Sequence, residues 1–287
     1  MTGNIIWIAS YPKSGNTWLR IFFSCLQEEG AAIPDINGIE TDGIASSRMA
    51  FEQCTGLDST SLSNQEITSL RPGVYDMLSR MAQKKMVIKV HDAFQLLANS
   101  THLFPITATQ AACYLIRNPL DVAVSYANHN GQSIDETIKK MNDHESELSK
   151  QVLNAPPQLP QYLGSWSRHI KSWTETSPYP VCIIRYEDML QKPVETFSKA
   201  ANAVGIHKTS AEIASAIDAS AFDKLKNQEL EFGFRERPHT SSQFFRSGKA
   251  GSWRDSLTER QAGLIIEENA EIMQRYGYLD SNGTPTY

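Results

Sequence analysis

"NIIWIASYPKSGNTWLRIFFSCLQEEG", residues 4–30, decides the fold class predicted for this chain. The run at 4–10 is short, apolar and rich in β-branched side chains, which is typical of a buried parallel strand. From Gly15 onwards the apolar side chains recur at helical spacing, and Gly30 is a suitable end for such a helix. A helix N-terminus that follows a strand and a tight loop presents free N–H groups, so this stretch predicts an anion-binding loop.

The loop at 11–17 differs from the ordinary nucleotide-binding loop, in which a lysine follows the second glycine. Here Lys13 precedes Gly15. Gly15 permits a close approach of the backbone, Thr17 can donate a hydroxyl hydrogen, and Lys13 supplies a mobile positive charge. These features favour a phosphate-like anion over an ordinary ATP or GTP site. The alternative is a plain strand–helix turn with a surface lysine.

Three further apolar runs, at 86–91, 111–117 and 179–189, also have the pattern of buried strands, and helical patterns separate them. This alternation predicts an α/β fold with a central parallel sheet flanked by helices, in a single domain spanning 1–287. Each run ends in polar residues. Because ligands of parallel sheets bind beyond the carboxyl ends of the strands, we expect the functional site there.

The segments between the strands differ in the strength of their patterns. Residues 31–63 show weak periodicity and predict an irregular segment, and the Pro-rich residues 154–161 predict a loop or lid. Helices are predicted at about 71–84, at 132–152 and, with a capping box at its start, at 258–277.

The composition narrows the functional class. A formal net charge of −5 over 287 residues argues against a nucleic-acid partner. The four cysteines form no Cys-x-x-Cys pair, so the sequence indicates neither a metal site nor a disulfide framework. No apolar stretch approaches the roughly 20 residues that span a membrane. We therefore expect a cytoplasmic protein without a membrane span.

Arg117 ends the third predicted strand, and Ser125 lies about two helical turns further along. Both side chains can reach a second phosphate if the strand ends meet. The alternative for Arg117 is a structural ion pair with Asp121 or Asp188.

His91 ends the second predicted strand, close behind Lys89. A histidine at the carboxyl end of a strand can take a proton from a hydroxyl group at neutral pH, which makes His91 a candidate general base. The alternative is a histidine that is buried and hydrogen-bonded for structural reasons. We expect such structural roles for the other six histidines: His102, His129, His144, His169, His207 and His239.

The segment "FFRSGKAGSWR", residues 244–254, combines three basic side chains with two glycines. Its backbone N–H groups and guanidinium groups can wrap an anion, although a basic loop can also be simply solvated.

Together these segments resemble the cytosolic-type sulfotransferases, which use 3′-phosphoadenosine-5′-phosphosulfate (PAPS) as sulfuryl donor. "YPKSGNTW" resembles the family's 5′-phosphosulfate loop, "RNPLDVAVS" its 3′-phosphate segment and "FFRSGKAGSW" its C-terminal "RKGxxGxW" segment. The three matches occur in the family's order, and the resemblance runs from about residue 4 to 276. It implies a P-loop-kinase-like fold, PAPS as co-substrate, PAP as product and no metal.

The resemblance also implies residue roles. His91 would be the general base, and Lys13 would serve transfer as well as binding by neutralising charge on the bridging oxygen. Ser125 would hold Lys13 back until an acceptor is present. The donor would be bound by Lys13, Ser14, Gly15, Asn16, Thr17, Trp18, Arg117, Ser125, Tyr186, Phe222, Arg246, Ser247 and Gly248.

The sequence departs from the family pattern at several positions. Ser247 stands where a second basic residue is usual, and Asp92 follows His91 where leucine is frequent. The family's adenine-stacking tryptophan has no clear counterpart in 31–63, where Phe51 is our candidate. These departures concern donor affinity more than reaction class.

Two other functions remain open from the residues alone. A nucleotide-dependent kinase or other phosphotransferase shares the strand–loop–helix, although it predicts a Gly-Lys-Ser/Thr loop that is missing. The second is a non-catalytic nucleotide-binding module. The presence of Lys13 and His91 argues against it. The acceptor is expected to be a small molecule or natural product. Residues 254–268 faintly resemble the family's dimer segment, which leaves monomer and homodimer open.

Overall fold

The computed structural model describes residues 3–27, 35–38, 43–149 and 156–287. Its strands are β1 (Ile5–Ser10), β2 (Met86–Val90), β3 (Thr109–Ile116), β4 (Glu147–Leu148), β5 (Gln161–Tyr162) and β6 (Val181–Arg185). Its α-helices are α1 (Asn16–Gln27), α2 (Arg48–Thr55), α3 (Asn64–Met81), α4 (Pro119–Asn130), α5 (Ile134–Asn142), α6 (Trp166–Glu175), α7 (Tyr186–Gln191), α8 (Pro193–Ala203), α9 (Ser210–Ala219), α10 (Phe222–Phe232) and α11 (Glu259–Arg275). Short 3₁₀ turns lie at Ser59–Ser61 and Ser252–Asp255.

The central sheet has four strands in the order β2-β1-β3-β6, and every neighbouring pair is parallel. The predicted α/β fold with a parallel sheet is thus confirmed. All four strands end at the same edge, so the loops after β1, β2, β3 and β6 lie side by side. The short β4 and β5 form a separate antiparallel pair.

Both faces of β1 are buried, because successive side chains alternate between the two faces of a sheet. Ile5 and Trp7 point into one apolar core and Ile6 and Ile8 into the other. The first core includes side chains of α3, α6 and α11, and the second those of α1, α8 and α9. Helices on both faces explain why the strands are apolar without polar alternation.

Three predicted elements are wrong in extent. Residues 31–63 are not irregular throughout, because α2 and a 3₁₀ turn lie within them. α3 begins at Asn64 rather than near residue 71. Its start is marked by a capping box between Ser63 and Glu66, a motif that can be read from the sequence. The predicted helix at 132–152 ends at Asn142 and is followed by β4.

The β6 strand is also shorter than predicted, since α7 begins at Tyr186. Gly30, the proposed end of the first helix, lies outside the described residues, as do 31–34, 39–42 and 150–155. Among the described helices, none is both long and apolar enough to cross a membrane.

Candidate active site

The loop between β1 and α1 has a backbone conformation that depends on two residues with positive φ. Lys13 has φ of 68° and Gly15 has φ of 100°. A Cβ at Gly15 would lie 2.7 Å from Tyr186 Cδ2, so a larger residue would collide with the start of α7. Asn16 fixes the loop from behind, because its amide nitrogen donates to the Ile8 carbonyl at 2.7 Å and to Ser10 Oγ at 3.2 Å. The predicted donor-binding role of Asn16 therefore rests on its backbone, at the N-terminus of α1.

A cleft of about 640 Å³ opens at the carboxyl edge of the sheet. The predicted site residues that line it are Lys13, Gly15, Asn16, Thr17, Trp18, His91, Arg117, Ser125, Tyr186, Phe222, Arg246, Ser247 and Gly248. Ser14 is buried beside them, and its hydroxyl oxygen has no hydrogen-bond partner. Residues from four strand ends and from the C-terminal segment thus meet at one place.

The Lys13 ammonium group is buried in the neighbourhood of two other cations. Burial, together with Lys89 and Arg117, lowers the pKa of Lys13 to about 7. Its Nζ lies 3.3 Å from His129 Nδ1 and 4.1 Å from the ring centroid of Phe244. A lysine with such a pKa gains most from an anion, because a bound negative charge would favour its protonated form.

His91 is held in a fixed orientation by a hydrogen bond to the backbone. Its Nδ1 donates to the Ser10 carbonyl oxygen at 2.8 Å, which leaves Nε2 with a lone pair. Burial and the nearby Lys89 lower the pKa of His91 well below its usual value, so the ring is neutral at physiological pH. The His91 carbonyl accepts from His169 Nε2 at 2.9 Å, and Tyr114 OH donates to His169 Nδ1 at 2.7 Å. His91 is therefore buried and hydrogen-bonded and also lines the cleft, and its role as general base stays a prediction.

Asp92, which departs from the family pattern, is structural. Its carboxylate is fully buried and pairs with Arg71 through two contacts of 2.7 Å. Its backbone oxygen accepts from Trp173 Nε1 at 3.0 Å. These bonds fix the turn that follows β2 and hence the position of His91.

Arg117 spans two segments of the cleft. It donates to the carbonyls of Lys13 at 3.1 Å and of Lys249 at 3.3 Å, and its guanidinium lies 4.4 Å from the centroid of Tyr186. Its Nε is buried without a partner. The alternative of an ion pair with Asp121 or Asp188 is not observed, since both carboxylates have other partners.

Asp121 instead anchors the C-terminal segment. Its carboxylate accepts from the backbone N–H of Gly251 at 2.7 Å and of Trp253 at 3.0 Å, and from Ser252 Oγ at 3.1 Å. Helix α4, which follows Arg117 in the chain, is thereby fastened to the loop that contains Arg246. In that loop Gly248 has φ of 61° and packs on Phe222, whose ring a Cβ would meet at 2.6 Å.

A charge cluster was missed by the sequence analysis. Glu236 accepts from Lys89 Nζ at 3.0 Å and from Arg20 Nη1 at 2.8 Å, and all three residues line the cleft. These cations lower the pKa of Glu236 to about 2 although burial opposes the shift. Lys89 had a usable signal, because it precedes His91 by two residues and so shares its strand face. Glu236 had none, since its partners are 147 and 216 residues away.

Two further expectations are changed by the geometry. Lys13 bonds to His129, which the sequence analysis left among the structural histidines, and not to Ser125. Phe51, the candidate for adenine stacking, is 1% exposed in the core and does not line the cleft. Aromatic rings in the cleft are those of Trp18, Tyr126, Tyr186, Phe222, Phe244 and Phe245. Within the described part of the chain, no group of three or more His, Cys, Asp or Glu side chains could hold a metal ion.

The chain is similar in sequence to known sulfotransferases. Sulfotransferase 1B1 of Canis lupus familiaris is 26% identical over 273 residues, which cover 88% of this chain and 78% of the relative. Flavonol 3-sulfotransferase of Flaveria bidentis is 24% identical over 276 residues, covering 91% and 79%.

Solved structures share the fold. Mouse sulfotransferase SULT7A1, solved with PAP, superposes with a TM-score of 0.62 at 21% identity, covering 96% of this chain and 85% of that one. Retinol dehydratase, solved with retinol and PAP, gives 0.61 at 17% identity, covering 96% and 82%. The sulfotransferase domain model matches residues 4–277, nearly the whole length, and the chain therefore belongs to the sulfotransferase family.

Proposed function

We propose that this protein transfers the sulfuryl group of PAPS to a hydroxyl or amine group of a small-molecule acceptor. One observation carries the proposal. The loop at 11–17, Arg117 and the segment 246–248 line the same cleft as the neutral His91. Such a cleft combines cationic regions for the two anionic groups of the nucleotide with a candidate base for the acceptor.

The donor fits the unpaired groups of the cleft. Ser14 Oγ, Trp18 Nε1 and Arg117 Nε are buried without hydrogen-bond partners, and buried polar atoms of this kind are rare unless a ligand or water satisfies them. In this proposal the N-terminus of α1, with Lys13 and Thr17, holds the 5′-phosphosulfate.

The other end of the donor takes a second set of residues. Arg117, Ser125 and the segment 246–248 hold the 3′-phosphate. Trp18, Tyr186 and Phe222 flank the adenine. The edge contact between Trp18 and Tyr186, with ring centroids 5.9 Å apart, supports this aromatic wall.

The chain's own residues perform the proton and charge steps. His91 Nε2 accepts the acceptor proton while the acceptor oxygen or nitrogen forms its bond to sulfur. The bond from sulfur to the bridging oxygen breaks, and Lys13 neutralises the charge that develops on that oxygen. Lys89, which pairs with Glu236 at 3.0 Å, stabilises the sulfuryl oxygens from the side of β2. PAP then leaves.

A small-molecule or natural-product acceptor is supported by the relatives, among which are a flavonol sulfotransferase and a protein solved with retinol. Tyr126, His129, Gln158 and Phe244 also line the cleft and offer both polar and aromatic contacts. We propose that the enzyme acts in the cytoplasm, a location favoured by four cysteines that form no disulfide bond.

Calorimetric binding tests the proposal directly. PAP is titrated into the wild type and into Arg117→Ala, and ATP with magnesium serves as the competing ligand. We expect PAP to bind the wild type, Arg117→Ala to weaken that binding by at least about tenfold, and ATP to bind poorly. Binding of ATP in preference to PAP would instead indicate a phosphotransferase.

A further inference from the structure

Glu187 is a fully buried carboxylate that takes no part in the proposed transfer. It is the second residue of α7 and is 0% exposed. Burial raises the pKa of Glu187 above its ordinary value of 4.5, whereas hydrogen bonds and the nearby Arg117 oppose that shift. A buried carboxyl group destabilises a fold unless its oxygen atoms are hydrogen-bonded, so the partners of Glu187 indicate its role.

Each carboxylate oxygen of Glu187 has its own donor. Oε1 accepts from the backbone N–H of Asn118 at 3.0 Å, and Oε2 accepts from Tyr278 OH at 2.9 Å. Asn118 caps the start of α4, 69 residues before Glu187, and Tyr278 follows α11, 91 residues after it. One side chain therefore ties α7 to the start of α4 and to the segment after α11.

The bond to Asn118 continues the link between β3 and β6 beyond the end of their ladder. That ladder ends one residue before Arg117 on β3 and one residue before Tyr186 on β6. Arg117 and Tyr186 both line the cleft, and the guanidinium group lies 4.4 Å from the centroid of the ring. The residues that follow them, Asn118 and Glu187, are joined by the side-chain bond. Arg117 and Tyr186 thus lie between the last pair of the ladder and the bond made by Glu187.

We propose that Glu187 is a positioning residue that holds Arg117 at the place where it meets the 3′-phosphate of the donor. The inference rests on the proposed PAPS site. A guanidinium group binds a phosphate well only when its planar set of N–H donors is aligned with the oxygens. Without the bond to Glu187, the turn at Asn118 that follows Arg117 can shift relative to Tyr186. The positive charge of Arg117 remains in that case, but its alignment is lost.

The ratio of the dissociation constants of AMP and PAP measures what the 3′-phosphate contributes, since the two nucleotides differ only in that group. Glu187→Ala removes both hydrogen bonds, and Glu187→Asp keeps the charge on a side chain that is one methylene shorter. Glu187→Gln keeps an oxygen for the Asn118 N–H and turns its NH₂ group towards Tyr278 OH, which can accept. Glu195→Ala is the matched control, because Glu195 is an exposed carboxylate in the first turn of α8.

We expect this ratio to fall at least about fivefold in Glu187→Ala and about threefold in Glu187→Asp, and to stay within about twofold of wild type in Glu187→Gln and in the control. Urea unfolding shows which variants are folded, and Glu187→Asp carries the test if the alanine variant does not fold. A purely structural role would lower the free energy of unfolding and leave the ratio unchanged. A ratio within about twofold of wild type in folded Glu187→Asp would overturn the proposal.

A second readout is the double variant Arg117→Ala/Glu187→Ala. Because Glu187 acts through Arg117, its removal should change the ratio by less than about twofold once the Arg117 side chain is absent. If the losses of the two single variants simply multiply in the double variant, Glu187 does not act through Arg117 and the proposal is wrong.

The two proposals can fail separately. A wild type that binds PAP more tightly than AMP, while the shortened variants at Glu187 keep that preference, would overturn the role of Glu187 alone. A wild type that does not prefer PAP to AMP would overturn both the donor site and the role of Glu187.

Discussion

Lys13 makes the affinity for PAP depend on pH by an amount that the structure determines. Its pKa is about 7 in the empty cleft, against an ordinary value of 10.5. The phosphates of PAP favour the charged lysine, so binding at pH 8 takes up about 0.9 proton. The sign follows directly: affinity is highest where Lys13 is already charged, below pH 7, and falls as pH rises. Between pH 7 and pH 9 the dissociation constant should increase about 50-fold, or about 2.3 kcal/mol.

Isothermal calorimetry in two buffers of different ionisation enthalpy measures both the affinity and the proton uptake. Working above pH 7 avoids the phosphate group, whose second pKa is about 6. Lys13→Arg remains charged across this range and should show a nearly flat profile at the high-affinity end. Lys13→Ala should bind weakly with a reduced slope, and any slope that remains reports on Lys89, whose pKa burial also lowers. A wild-type affinity that is constant from pH 7 to pH 9, or a Lys13→Ala slope equal to that of wild type, would refute this reasoning.

Three other predictions concern the frame around the site. Asp92→Leu leaves the buried Arg71 charge unpaired and should lower the free energy of unfolding in urea by about 3–5 kcal/mol. The double variant Arg71→Met/Asp92→Leu should recover most of that loss. A double variant that loses as much as the two single variants together would contradict this. Ser247→Lys adds a cation to the proposed 3′-phosphate region and should tighten PAP binding about fivefold at low salt. Salt at about 0.5 M should largely remove this gain in affinity, and equal tightening at both salt concentrations would exclude an electrostatic cause. His169 is buried with a pKa of about 4, below its ordinary 6.5, so the unfolded chain binds a proton before the folded protein does. The free energy of unfolding should therefore fall by up to about 3 kcal/mol from pH 6.5 to pH 4. In His169→Gln this fall should be smaller, and an unchanged fall would assign it to other groups.

The central sheet could be predicted because its signals are local. Each strand is an apolar run of five to eight residues, and the helices between them show the 3.6-residue period. α2 was missed because its eight residues show little apolar repetition. The start of α3 was predicted too late although its capping box can be read from the sequence, and Pro72 lies inside the helix.

The residues of the site also divide into those with a local sequence signal and those without one. Lys13, His91 and Arg117 were found because each lies shortly after the end of a strand, and strand ends converge by topology. Contacts between distant segments were not found. Glu236 meets Lys89 across 147 residues, and His129 meets Lys13 across 116, so neither contact has a local pattern. Only the folded chain shows that His129 faces the cleft rather than solvent.

The hydrogen bonds made by Asp121 also bear on the order in which parts of the protein fold during translation. Asp121 and its partner Gly251 are 130 residues apart, which corresponds to roughly 6–26 s of translation. During that interval α4 exists without the segment to which Asp121 fastens it. Under the proposed function, a nucleotide that contacts both segments gains its full set of contacts only after Gly251 has been synthesised. Such a nucleotide stabilises the folded protein more than its early folding intermediates.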